Sequence, residues 1–328
     1  MTKTHRMSRA LNWRAALCLS LAVPALSWAQ AFPSKPIHII VPFAAGGAVD
    51  VVSRAVGQQM SLQMGVPFVI DNKPGASANL GADFVAKAPA DGYTVLMGAN
   101  GLATNGALLA KMPFDALRDF APVARIGYAP LVLVVNPTSR ARTLAELIAL
   151  AKAQPGKLNY GSAGNGSSGH LASELFKTRA GIDVLHIPYK GGSLAITDLL
   201  GDRLSFMVIN PLEAIPHVRS QRLLPLAVAS DKRIALMPEV RTFTEAGLPG
   251  FEASVWWGMV APAATPREVL AKLSAEMLKA LTDPGVREKL NNVGATVEPQ
   301  DAAEFGRFLK VEIDKWSGVI KAAGIRAD

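Results

Sequence analysis

Two stretches of the chain set glycines between an apolar run and a helix-forming run. The first is Val41-Pro42-Phe43-Ala44-Ala45-Gly46-Gly47-Ala48-Val49-Asp50, and the second is Asn159-Tyr160-Gly161-Ser162-Ala163-Gly164-Asn165-Gly166-Ser167-Ser168-Gly169-His170. Glycine lets the backbone turn tightly there and lets a ligand approach the main chain. The helix that follows presents unpaired N–H groups and the positive end of its dipole, a ready seat for a carboxylate or phosphate. Ser162, Ser167 and Ser168 add hydroxyls at the second corner. One such corner alone reads equally well as a tight turn with small capping residues. Two corners, one in each expected lobe, point to a ligand cleft.

Other candidates gather around these corners. Asp50 falls in the first turn of a helix, where the dipole favours an acid, and could hold the amides of its own corner. His170 adjoins the second corner, whereas His186 and His217 read as structural. A third strand-to-loop corner, His186-Ile187-Pro188-Tyr189-Lys190-Gly191-Gly192, offers Tyr189 and Lys190, and Asn210 follows a further strand. Trp256 and Trp257 read as core packing, because large aromatics are usually buried. The residues 164–169 match G-x-G-x-x-G, but the acid that a dinucleotide site needs at the end of the next strand is missing, so a nicotinamide or flavin is not expected. There is no HExxH, no metal-spaced histidine pair and no G-x-S-x-G elbow. No catalytic residue, metal or cofactor is expected.

The elements that must position these residues alternate. Strands are expected at 37–41 (IHIIV), 68–71 and 94–98, with helices at 48–63 and 75–88. The pattern then restarts, with strands at 131–135 (LVLVV), 158–161, 184–187 and 204–209 and helices at 143–153, 168–178 and 193–200. This β-α-β-α alternation marks an α/β chain with largely parallel sheets. Thr143 to Glu146 reads as a capping box, as do Asp301 with Glu304, and Thr265-Pro266-Arg267-Glu268 as a capped helix start. In the last helix Phe305, Phe308, Leu309, Ile313 and Trp316 share a face that should pack on a lobe. The linker candidates are 118–130 and 223–230. The expected build is two lobes, the first from 32–125 plus 230–328 and the second from 126–229, with the chain crossing twice and so permitting hinge closure.

The start of the chain reads as a secretory signal. Lys3, Arg6, Arg9 and Arg14 precede an 11-residue apolar run at 15–25, and small residues then allow cleavage after 29 or after 31. A run of that length is short of the roughly 20 residues that span a bilayer. The expected location is the periplasm, with a mature chain that does not span the membrane. Cys18, the one cysteine, lies in this segment, so no disulfide or thiol chemistry is expected of the mature chain. Without the segment's four basic residues, 30 Lys and Arg face 26 Asp and Glu, a balance of +4 that favours small anions over nucleic acid.

Taken together, PSKPIHIIVPFAAGGAVD, DNKPGASANLGADFVAKAPADGYT, LNYGSAGNGSSGHLASELF, HIPYKGG, FTEAGLPGFEASVWWG and VAPAATP resemble the Bug family of extracytoplasmic solute receptors, which serve tripartite tricarboxylate-type transporters. The resemblance covers nearly the whole expected mature chain. It implies a two-lobed type II periplasmic-binding-protein fold, each lobe a mixed, mostly parallel sheet flanked by helices, with no enzymatic activity. It implies a di- or tricarboxylate or aromatic carboxylate as ligand, and the membrane components of a transporter as partners of a monomer. Carried over by motif, the contacts would be Phe43, Ala44, Gly47 and Asp50 in the first lobe, and Ser162, Asn165, Gly166, Ser167, His170 and Tyr189 in the second, beside Asn210. Val49 replaces a frequent Thr, and Ile209 a frequent Asp, which argues against an amino-bearing ligand. The rival readings are a ligand sensor for a signalling partner and, further off, a periplasmic NAD(P)-type oxidoreductase.

Overall fold

The computed structural model describes residues 32–109, 111–292, 294–322 and 325. The expected signal, residues 1–29 with its cleavage sites, lies outside them. Met1–Ser34 and Lys35–Asp328 group as separate units, and every element below belongs to the second.

The alternation of apolar runs and helical spacing yields, in order, β1 (Ile37–Val41), α1 (Ala48–Met64), β2 (Phe68–Asn72), α2 (Asn79–Ala86), β3 (Thr94–Gly98) and α3 (Gly101–Leu108). Then come β4 (Phe120–Pro130), β5 (Val132–Val135), α4 (Leu144–Ala153), β6 (Asn159–Ser162), α5 (Ser168–Ala180), β7 (Leu185–Pro188) and α6 (Gly192–Leu200). β8 (Phe206–Ile209), α7 (Pro211–Arg219), β9 (Leu224–Val228), β10 (Ser254–Pro262), α8 (Arg267–Ala280), α9 (Pro284–Asn291), β11 (Thr296–Gln300) and α10 (Ala302–Ala322) follow.

Two sheets result, ordered β11-β4-β10-β3-β1-β2 and β7-β6-β8-β5-β9. β1 is parallel to β2 and β3, and β6 to β7 and β8. The remaining pairings are antiparallel, so the sheets are mixed without being mostly parallel. In each sheet the strand entered directly from the other sheet, β5 or β10, runs against both neighbours. Neither is reached through the helical crossover that parallel neighbours need.

Both segments expected as linkers are strands. Pro122, Arg125 and Gly127 interrupt the apolar pattern of β4, yet β10 and β11 pair with its two edges through register shifts. β9 pairs with β5. Only Leu131 separates β4 from β5. Its N–H donates to Ala253 O (2.9 Å), that of Ala253 to Ala229 O (3.1 Å), and that of Ala229 to Leu131 O (2.8 Å). This closed ring ties together the points where the chain passes between sheets. Residues 234–251, expected with the first lobe, pack on the second sheet: Met237 and Val240 join its core, and Phe243 and Phe251 contact Phe176 of α5.

The first sheet's core holds Ile40, Leu96, Trp256, Val260, Phe305 and Leu309. Trp256 and Trp257 are both buried, as expected. Farther along α10, Trp316 packs with Leu108 of α3 and Leu171 of α5, so this helix touches the flanks of both sheets. The capping boxes at Thr143–Glu146 and Asp301–Glu304 form. That at Thr265 does not, because its hydroxyl donates to Pro262 O. The helix expected over 75–88 begins only at Asn79; Ala76, Ser77 and Ala78 precede it with φ of 46°, 59° and 72°.

Candidate functional site

The first corner joins β1 to α1, and its shape is held by Asp50, which is 3% exposed. Asp50 Oδ2 accepts the Gly46 N–H (3.0 Å) and Arg54 Nε (2.9 Å). Its Oδ1 accepts Arg54 Nη2 (2.9 Å) and Asn72 Nδ2 (3.0 Å). Burial alone would raise the Asp50 carboxyl. The donated bonds outweigh it and hold the group below its ordinary range.

The second corner joins β6 to α5, and neutral groups hold it. The Gly166 N–H donates to His170 Nδ1 (3.2 Å), while Ser167 caps α5 by accepting the His170 N–H (3.4 Å). His170 stacks on His186 at 4.3 Å between ring centroids, and His186 on Tyr160 at 4.8 Å. Ser162 Oγ lies 2.7 Å from His186 Nε2 and accepts the Gly164 N–H. Burial lowers His170 to about 4 and His186 to about 3, so both rings are neutral at pH 7. A Cβ on Gly169 would meet Val208 O at 2.5 Å, so the close approach of α5 to β8 requires this glycine.

Each corner is bonded to elements of the facing sheet. The Ala44 N–H donates to Lys190 O (3.0 Å), and Ser193 Oγ to Ala45 O (3.2 Å). Thr104 Oγ1 of α3 donates to Gly166 O (2.7 Å). Between them lies a cavity of about 40 Å³ onto which Phe43, Gly47, Ser167, Ser168, Asn210 and Glu213 face, among others. Glu213, in the first turn of α7, reaches across it. Its Oε1 accepts the Ala48 N–H (2.9 Å), and its Oε2 accepts Asn210 Nδ2 (3.0 Å). Burial pushes the Glu213 carboxyl up to about 7 against these two bonds.

Of the eleven residues expected at the site, Phe43, Gly47, Ser167 and Asn210 line this cavity. Ala44 bonds to Lys190 of the third corner, and Gly166 to Thr104 of α3. Asp50, Ser162 and His170 are buried behind the corners and brace them. The Tyr189 hydroxyl is turned onto Asp198 Oδ2 (2.6 Å) and burial raises it to about 12, so it contributes through its N–H to Ser162 O (3.0 Å). Asn165 sits half-buried in the second corner. Ile209 packs into the second sheet's core, so an acid missing there takes nothing from the cavity, and Glu213 brings one in. Two features escaped sequence reasoning. One is Glu213, which reads as an ordinary first-turn acid. The other is a corner from β3 to α3, where Ala99, Asn100 and Gly101 line the cavity and Asn100 spans Ser254 O and the Trp256 N–H. Gly98 and Gly101 after an apolar strand were its available signal. Among the described residues no group of three His, Cys, Asp or Glu could hold a metal, and no helix is long and apolar enough to cross a membrane.

Residues 52–325 match the family model TctC, described as tripartite tricarboxylate transporter family receptor. The protein BugT of Bordetella pertussis (strain Tohama I) is 36% identical over 300 residues, 91% of this chain and 92% of BugT. The solved periplasmic binding protein BugD superposes with a TM-score of 0.87 at 30% identity, covering 90% of this chain and 100% of that one. Rpa4515 of R. palustris with adipate gives 0.87 at 35% identity, covering 90% and 99%. MatC (Rpa3494) of Rhodopseudomonas palustris with bound malate gives 0.84 at 31% identity, covering 88% and 100%.

Proposed function

The chain belongs to the TctC family of tripartite tricarboxylate transporter receptors, and from that premise we propose that it is a periplasmic receptor that traps a small di- or tricarboxylate, or an aromatic carboxylate, between its two glycine corners. One observation carries the reading: a corner from each sheet borders the same cavity, and helices α1 and α5 start at its wall. Adipate and malate, bound by Rpa4515 and MatC, set the ligand class. The eleven residues from Phe43 to Asn210 divide the work. Phe43, Gly47, Ser167 and Asn210 face the ligand, and Asp50, Ser162, Asn165, His170 and Tyr189 shape the corners, with Ala44 tied to the third corner and Gly166 to α3. The ring at Leu131, Ala229 and Ala253 is the hinge between lobes.

A ligand touching both corners stabilises the closed form by its differential contacts with that form. The closed monomer then docks on the membrane components of its transporter and turns nothing over. Thermal-shift screening of the purified protein against mono-, di- and tricarboxylates, aromatic acids and amino acids tests this reading. A ligand at a hundred times its dissociation constant adds about 2.7 kcal/mol of stability. A panel in which no carboxylate raises the melting temperature refutes it.

A further inference from the structure

We propose that Glu213 is a specificity-determining residue, an internal competitor whose carboxylate takes the amide-lined position at the α1 corner that a ligand carboxylate needs. The inference rests on the carboxylate-receptor reading above. It adds that the ligand is bound by exchange against a side chain of the protein.

Three helix starts converge on the Glu213 carboxylate. Its Oε1 takes the first N–H of α1, from Ala48, at 2.9 Å. Its Oε2 lies 2.1 Å from where a Cβ on Gly192 would stand, so only glycine at the start of α6 leaves room for it. Its own helix α7 is the third, with Asn210 at the cap donating to Oε2 at 3.0 Å. Unpaired amides and aligned dipoles make such a point favourable for an anion. The anion seated there comes from 165 residues along the chain, across the two sheets.

Two further observations fit displacement. Burial raises the Glu213 carboxyl to about 7, so the ion is held at a cost that its departure relieves. Asn210 lines the same cavity, and its Oδ1, enclosed and without a partner, can take a donor once the Glu213 side chain moves. The remaining cavity of about 40 Å³ falls far below the roughly 300 Å³ at which small-molecule sites begin. Swinging Glu213 out supplies volume together with two donors, the Ala48 N–H and Asn210 Nδ2. The apparent affinity is then reduced by the fraction of molecules with Glu213 withdrawn.

Titration calorimetry of the wild type, Glu213→Ala and Glu213→Gln with adipate and with malate at pH 7.5 tests this. The alanine variant should bind at least one acid about tenfold more tightly, as expected if about a tenth of wild-type molecules have the side chain withdrawn. The glutamine variant, which keeps the volume and an acceptor for Ala48, should shift the same way by less and carries the test if the alanine variant does not fold. Amide hydrogen exchange at Ala48, without ligand, should quicken in the variants. Unchanged or weaker binding in both variants, with the wild type binding, overturns the competitor and makes Glu213 a contact or a bystander. No binding by any of the three to either acid or to the wider panel overturns the receptor reading itself, and the competitor with it.

Discussion

The two corners do the same job with opposite electrostatics. Each turns a strand into a helix and fixes a glycine loop beside the cavity. The α1 corner is braced by an ionised carboxylate, Asp50, that gathers Gly46, Arg54 and Asn72. The α5 corner is braced by uncharged rings, with His170 taking the Gly166 amide and leaning on His186 and Tyr160. Their caps differ as well. Ser167 caps α5 from its own chain segment, whereas Gly47 brings no side chain and α1 receives Glu213 from the facing half. A loop can thus be held by charge or by buried neutrality, and the choice determines how it answers to acid and to mutation.

The largest expected effect tests the charged brace. Asp50→Ala removes the buried acceptor shared by the Gly46 N–H, Arg54 and Asn72, and losing these bonds to a charged group costs about 3 kcal/mol even though the half-exposed Arg54 can turn to water. Urea denaturation at pH 7 reads it, and a loss below about 1 kcal/mol would show that Asp50 braces nothing. Next comes the contact of the second corner with α3. Gly166 has φ of 75°, and a Cβ there would lie 1.9 Å from Asn105 Oδ1 of α3. Gly166→Val should therefore hold the second corner away from α3 and weaken carboxylate binding about 100-fold, or about 2.7 kcal/mol. Wild-type affinity in this variant, measured by calorimetry, would mean that closure at Gly166 plays no part in binding.

The pH response should separate the corners. His170 and His186 have folded values lowered from the ordinary 6.5 to about 4 and about 3, so their stabilisation is lost as pH falls from 6.5 towards those values. The groups facing them are Glu174, Lys177 and Tyr160. Glu213 runs the other way. Its folded value is raised from 4.5 to about 7, so the folded state gains protons and stability as pH falls through that window. From pH 7 to pH 5 each histidine costs on the order of 2 kcal/mol and Glu213 returns about as much as one of them, so the wild type loses about 2 kcal/mol net. Glu213→Gln should deepen the loss on acidification to about 4 kcal/mol, and His186→Gln should flatten the profile by leaving His170 against Glu213. Parallel stability profiles from pH 5 to 7 in all three proteins would contradict this account. Asp50, lowered below 3.8, stays ionised throughout.

Much of this arrangement is legible in local sequence, because glycine, capping residues and apolar runs act over a few positions. Gly164 to Ser167 announce a tight turn into a helix, Thr143 with Glu146 a helix start, and IHIIV a buried strand. Features that depend on distant partners are not. Arg125 and Gly127 look like linker residues until β10 and β11 are placed on the two edges of β4. Glu213 looks like a first-turn acid until Ala48 arrives opposite it. The left-handed run Ala76–Ala78 contains no glycine to betray it, and Asn105 Nδ2 holds Ser77 O from another helix at 2.7 Å. Family motifs reached the corners but could not separate residues that face the cavity from those that brace it. Asp50 shares a motif with Gly47 and Tyr189 one with Gly192, yet both side chains point elsewhere.

The smallest expected effect isolates the capping difference. Ser167→Ala removes the hydroxyl that accepts the His170 N–H at 3.4 Å, a long bond, so the cost should be about 1 kcal/mol or less. Because His170 keeps its stack and its bond from Gly166, the pH profile of the variant should parallel that of the wild type. Glu213→Ala is the matching change at the other corner, since it uncaps α1, and it must alter both stability and pH profile because the group removed there titrates. If urea denaturation at pH 5 and pH 7 gave the two variants the same profile, the corners would not be electrostatic opposites, and Glu213 would be no more than a helix cap.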